Sequence, residues 1–313
     1  MTVGNSDQPL PGEIEFAPVA SRAACTDCQL TSRFRKAWAA CRPQSLGEAS
    51  PVARKQPGLS FKNGAACGSF RAHLEAIRTA EQSPRSWAEV ESGFLRAMEL
   101  FDAEVIAGRA SEGERQNGKG DYFNEVVAAI VENASGVPLN RRRGVNGLVF
   151  RDYNLDVTHP ATGAAEILIE AKTMGTPKHP GNEQADPSGR SASADLPKRL
   201  REAGFKTIDL KAGYGFHQTS GDHQAGPSGS LTSWLRRAKP LSYVLIAARV
   251  TAEGDLNRMI ADTTSMTKIM DGMGLFCFIA DDPTAAAPTY SSCEVPANIE
   301  LARTLHDIAE QMR

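Results

Sequence analysis

The feature that most restricts this chain's fold is the run Ile167-Leu168-Ile169, which passes directly into Glu170-Ala171-Lys172. A short aliphatic, partly β-branched run of this kind reads as a strand, here expected over residues 165–174. Residues two apart on a strand share a face, so Glu170 and Lys172 point the same way. A second strand is expected over 148–158. The two are joined by His159-Pro160-Ala161-Thr162-Gly163, whose Pro and Gly are turn chemistry. A hairpin of that geometry returns Asp156 beside Glu170 and Lys172. Two carboxylates and one ammonium then converge, a set suited to hard-cation chemistry. The Asp and Glu oxygens would hold Mg²⁺, while the lysine offsets negative charge on a phosphate or an attacking water.

The surroundings of this hairpin set the class. Before it, Phe123, Val126, Val127, Ile130, Val131 and Ala134 recur at helical spacing over 121–134, opposite Asp121, Glu125 and Glu132. Ser135-Gly136-Val137-Pro138 is a stop signal for that helix. After it come a polar loop, GTPKHPGNEQADPSGRSASA, and a helix opened by Asp195-Leu196-Pro197 and continued by the basic stretch KRLREAGFK. A Gly/Ser-rich loop is expected near 213–230 and a short helical piece near 231–238. Strands at 241–250 and 275–280, a helix at 256–270 between them and a closing helix at 298–312 complete an α/β chain with a mixed sheet. Upstream, residues 1–20 read as a loose arm. Residues 21–117 read as a helical, cysteine-bearing subdomain, with helices near 30–41, 69–81 and 86–108, and the Gly-rich stretch ASEGERQNGKGD separates it from a domain at 118–313.

The order helix, strands carrying Asp156 and then Glu170-Ala171-Lys172, basic helix resembles the shared core of the PD-(D/E)xK nucleases. That resemblance spans about 119–211, and Leu155 stands where the literal motif has proline. It implies a restriction-endonuclease-like core, a mixed sheet flanked by helices, and Mg²⁺-dependent hydrolysis of double-stranded DNA. It also implies Asp156 and Glu170 as metal ligands and Lys172 as catalytic base or charge stabiliser. The large additional N- and C-terminal portions favour a type II restriction endonuclease, a homodimer of a restriction-modification system cutting a specific sequence. Lys119-Gly120 followed by a helix with an early acid resembles the family's opening helix, and implies Glu125 as a further site residue, with Asp121 as its rival. Structure-selective or repair cleavage by the same core is the nearest alternative.

Among basic residues, Arg141, Arg142 and Arg143 precede the first strand, and Lys178, Lys198, Arg199, Arg201, Lys206 and Lys211 follow the second. Beside a nuclease site they are candidates for phosphate and base contacts, with Arg141, Arg142, Arg143, Lys178, Lys198 and Arg199 the first choices; a solvated helix face is the plainer reading. Cys25-x2-Cys28-x12-Cys41, with Cys67 beyond, has a spacing that a structural Zn²⁺ site uses, with iron as another occupant; unconnected thiols are the alternative. A zinc-stabilised DNA-binding protein without catalysis is therefore the rival from another class. The net charge of −2 is not that of a passive DNA-wrapping domain, although carboxylates gathered around a metal offset basic groove residues in such a sum. The longest apolar run, 241–250, is too short for a bilayer span, and Met1–Phe16 lacks the basic and apolar regions of a secretory signal. A cytoplasmic protein with reduced cysteines is expected.

Overall fold

Apolar periodicity sorts the chain onto two sides of one sheet. The computed structural model describes residues 64–145, 147–150, 153–159, 166–181, 188–220 and 240–313, except for the side chains of 142–145 and 216–220. All of them belong to one compact unit, Glu48–Arg313. The elements are α1 (Gly68–Thr79), α2 (Glu91–Ile106), a π-helical turn (Glu114–Gly118), α3 (Lys119–Ser135), β1 (Asn140–Val145), β2 (Tyr153–His159) and β3 (Ile167–Met174). They continue with α4 (Leu196–Ser220), β4 (Leu241–Val250), α5 (Glu253–Met266), β5 (Gly272–Ala280), β6 (Tyr290–Cys293) and α6 (Leu301–Gln311).

The six strands lie in sequence order. β1–β2 and β2–β3 are antiparallel, β3–β4 and β4–β5 are parallel, and β6 returns antiparallel to β5. The fold is thus mixed α/β, a mixed sheet flanked by helices. Strands β4 and β5 are covered on both faces, hence their unbroken apolar sequences. Ile169, Ala171, Leu245, Ala247, Phe276 and Phe278 face α1, α2, α3 and α6. Met174, Val244, Ile246, Leu275 and Cys277 face α4 and α5.

The first face is aromatic. Phe70 stacks on Phe101 at 4.6 Å and on Tyr122 at 4.3 Å, while Trp87 meets Phe276 edge-on at 4.9 Å. Such pairs add about 0.5–1.5 kcal/mol each beyond area burial. Through them residues 64–117, the described part of the region expected as a cysteine-bearing subdomain, share one core with the sheet. Residues 1–63, which hold the expected arm and the helix near 30–41, lie outside the described residues, as does the piece at 231–238.

Several elements differ from expectation for local reasons. The strand expected from 148 begins at Tyr153. Residues 148–150 are instead drawn onto α4, where the Asp209 carboxylate accepts from the backbone of Val149 at 2.8 Å and Phe150 at 3.1 Å. Strands β1 and β6 went unread because Asn-Arg-Arg-Arg-Gly-Val and Tyr-Ser-Ser-Cys have no apolar alternation; as sheet edges they need only one hydrogen-bonding neighbour. The Gly-rich stretch taken as a separator contains the π-turn, held by Glu114, whose carboxylate accepts from Ala66 N at 2.9 Å and Ser111 N at 2.8 Å. Helix α4 runs on to Ser220 through part of the expected loop. α3 ends as expected, at Gly136 with φ 72°, a left-handed conformation that costs glycine little. No described helix is long and apolar enough to cross a membrane.

Candidate active site

The antiparallel β2–β3 ladder stops at Val157–Ile169, although β2 starts at Tyr153 and β3 continues to Met174. β1 stays paired with β2 down to Val145–Tyr153, and β3 stays paired with β4 up to Met174–Ala248. The sheet therefore opens as a V between β2 and β3. Asp156 and Glu170 stand where the arms part. In place of a ladder bond, Ala171 N donates to Asp156 Oδ2 at 3.1 Å. Val157, Ile169 and Ala171 belong to the aromatic side, so the alternate residues Asp156, Glu170 and Lys172 face α4.

Lys172 Nζ lies 2.7 Å from Asp156 Oδ2 and 2.8 Å from Glu170 Oε2. From α4, Lys206 Nζ donates to the other oxygen of Glu170, Oε1, at 2.8 Å and to Asn154 O at 3.3 Å. Glu170 is buried, whereas Asp156, Lys172 and Lys206 are each about a quarter exposed, at 21, 27 and 23 % of their side chains. The cluster thus opens to solvent on one side. Burial alone would lower the proton affinity of Lys172, but Glu170 and Asp156 outweigh it and hold the ammonium above its ordinary pKa. The ammonium of Lys172 is therefore held in its charged form between the two acids.

The acceptors around the two ammonium groups are carboxylate and carbonyl oxygens, the hard ligands that Mg²⁺ takes. Asp156 and Glu170 fit such an ion. Among the described residues no third His, Cys, Asp or Glu completes a metal-holding group with them. Mg²⁺ typically binds through one or two carboxylates, its remaining positions going to water and substrate phosphate.

Other residues singled out from the sequence lie elsewhere. Glu125 is buried on the opposite face of the sheet. Its carboxylate pairs with Arg141 Nε at 3.5 Å, and Arg141 is opposite Val157, on the aromatic side. It was expected to complete the site, but the amphipathic helix that carries it packs behind the sheet. Arg141, expected at a DNA surface, has a 7 % exposed side chain that also makes two bonds to Glu132, at 2.6 and 2.8 Å, so the fold's own acids occupy its guanidinium. The side chains of Arg142 and Arg143 lie outside the described residues. Arg199 and Lys198 are exposed and pair with Glu202 at 3.0 and 4.0 Å. Lys178 is half-buried in the segment following β3. Cys67 is buried before α1, and burial, with Glu114 adding to it, pushes its thiol up to about 11. Cys25, Cys28 and Cys41 lie outside the described residues.

In the sequence Lys206 stands only as one of the flanking basic residues, and Asp209 carries no signal of its own. Both flank the buried stripe Leu196, Leu200, Ala203, Leu210 of α4. Asp209 also accepts from the Tyr153 hydroxyl at 3.0 Å, tying the start of β2 to the helix that supplies Lys206. The periodicity of that stripe was the available signal for both.

Fold and site together define a mixed α/β protein whose six-stranded sheet parts around two carboxylates and two lysines. No family model, curated protein or solved structure matches the chain.

Proposed function

We propose that the protein is a Mg²⁺-dependent endodeoxyribonuclease of the PD-(D/E)xK class, acting as a type II restriction endonuclease on double-stranded DNA. The observation that carries this reading is the parting of β2 from β3 at Asp156, Glu170 and Lys172, which groups two carboxylates and a cationic lysine in one partly solvent-exposed cluster. The run α3–β1–β2–β3–α4–β4 supports it, because the acids come from adjacent strands and the following helix closes over them.

In this reading Asp156 and Glu170 hold the ion. Bound there, Mg²⁺ supplies Lewis-acid stabilisation of the charge that builds on the phosphodiester. Lys172 lies between the two acids, and its positive charge offsets that of the phosphate oxygens and orients the attacking water. The α3–β1 pair Glu125–Arg141 fixes the back of the sheet, and Asp209 fixes the β1–β2 connection against α4. Cutting both strands calls for two such sites, and a homodimer provides them.

The test is a digest of several unmodified plasmid and phage DNAs with the purified protein. Discrete bands are expected with Mg²⁺ and none with EDTA, and sequencing the ends would give the recognition site. A smear, or cutting confined to branched DNA, would point to a repair nuclease. Intact DNA from folded protein would sink the nuclease reading.

A further inference from the structure

Glu170 is bound by two ammonium groups, one on each oxygen, and they differ in how they are held. Lys172 lies on the same strand and bridges both carboxylates. Lys206 reaches in from α4, bonds among the described residues to Glu170 Oε1 and the carbonyl of Asn154, and keeps 23 % of its side chain in solvent. The helix does not depend on it for its seat, since Leu196, Leu200 and Ala203 pack into the core and Asp209 ties the β1–β2 connection to α4. The two carboxylates and two ammonium groups sum to zero charge, so a divalent ion entering among them meets two like charges. The same oxygens that accept from the Lys206 ammonium are hard ligands of the kind a divalent ion takes.

We propose that Lys206 is a displaceable counter-ion, which holds Glu170 in the metal-free protein and competes with the divalent cation for that carboxylate. The idea rests on the nuclease reading, in which Asp156 and Glu170 bind the ion. Lys206 is a positioning residue here: it keeps a buried acid neutralised until the ion arrives, and its long stem lets the ammonium leave for solvent. A merely structural salt bridge would make no such link to the metal.

The experiment titrates Mn²⁺ into the full-length protein without DNA and reads free Mn²⁺ by electron paramagnetic resonance. Lys206→Met is expected to bind Mn²⁺ about 1.5-fold to fivefold more tightly than the parent, the range for loss of a part-exposed ion-pair competitor. Circular dichroism melts confirm the fold, with Lys206→Gln as the second variant if the first is unfolded. Glu170→Gln locates the ion by weakening its binding. Equal or weaker Mn²⁺ binding by the Lys206 variants overturns this inference and leaves the nuclease reading standing. If the parent and the variants fail alike to bind Mn²⁺, or Glu170→Gln binds it as the parent does, both ideas fall.

Discussion

Lys172→Ala is expected to slow Mg²⁺-dependent DNA cleavage by about 10²–10³-fold, the usual cost of removing one preorganised group that stabilises transition-state charge. Lys172 is the only group touching both Asp156 and Glu170 through side-chain atoms among the described residues, at 2.7 and 2.8 Å. Its removal also leaves two carboxylates facing each other with one lysine fewer. The variant should therefore gain more thermal stability from added Mg²⁺ than the parent does, because the ion then replaces a lost counter-charge. Lys172→Arg keeps the charge but spreads it over a larger planar group, and should recover stability better than rate. Single-turnover cleavage and melting with and without Mg²⁺ check both halves. An unchanged cleavage rate in folded Lys172→Ala would remove the lysine from the chemistry.

The second large effect concerns stability. Asp102 on α2 is fully buried, paired with Lys119 Nζ at 2.6 Å, and its other oxygen accepts from the Tyr290 hydroxyl at 2.7 Å. Arg249 Nε donates to that hydroxyl at 3.0 Å, and its Nη1 donates to Ser188 O at 2.7 Å. Lys119 also reaches Gly175 O at 3.5 Å, just beyond β3. The chain of contacts thus ties α2, α3, β4 and β6 to the exit of the strand that carries Glu170 and Lys172. Burial lowers the Lys119 pKa, with Asp102 opposing it, and burial together with Asp102 raises that of Tyr290.

Asp102→Ala would strand the Lys119 ammonium and the Tyr290 hydroxyl in the interior, and is expected to cost about 3–5 kcal/mol of unfolding free energy. Removing both charges, as in Asp102→Leu with Lys119→Met, should recover part of that loss, since an apolar pair needs no desolvation of ions. Urea unfolding monitored by tryptophan fluorescence measures both. A loss below about 1 kcal/mol for the single variant would place the pair among weakly contributing ion pairs.

The readable parts of the fold were those in which one sequence signal forced one element. Leu241–Val250 is buried on both faces, so its apolar run coincides with β4 from end to end. The stripe Phe123–Val131 likewise announced α3, and Gly136 its end. The edge strands β1 and β6 were hidden because pairing on one edge demands no apolar pattern. Residues 148–150 were misread as strand because Leu148, Val149 and Phe150 have strand propensity, whereas Asp209 supplies their hydrogen bonds.

The same division runs through the site. Asp156, Glu170 and Lys172 come from two adjacent strands, where a period of two suffices to bring them together. Lys206 arrives from a helix crossing the sheet, and only the packing of α4 against β3 and β4 brings it to Glu170. Glu125 and Arg141 were assigned by sequence position to functional surfaces, but each found a buried partner in the other.

The most direct measurement of the central claim is a digest of one mapped plasmid with the parent protein in Mg²⁺, the parent in EDTA, and Glu170→Gln in Mg²⁺. The account predicts discrete fragments in the first and intact DNA in the other two, with all proteins folded by circular dichroism. Fragments of the same pattern from Glu170→Gln, or from the parent in EDTA, would contradict it.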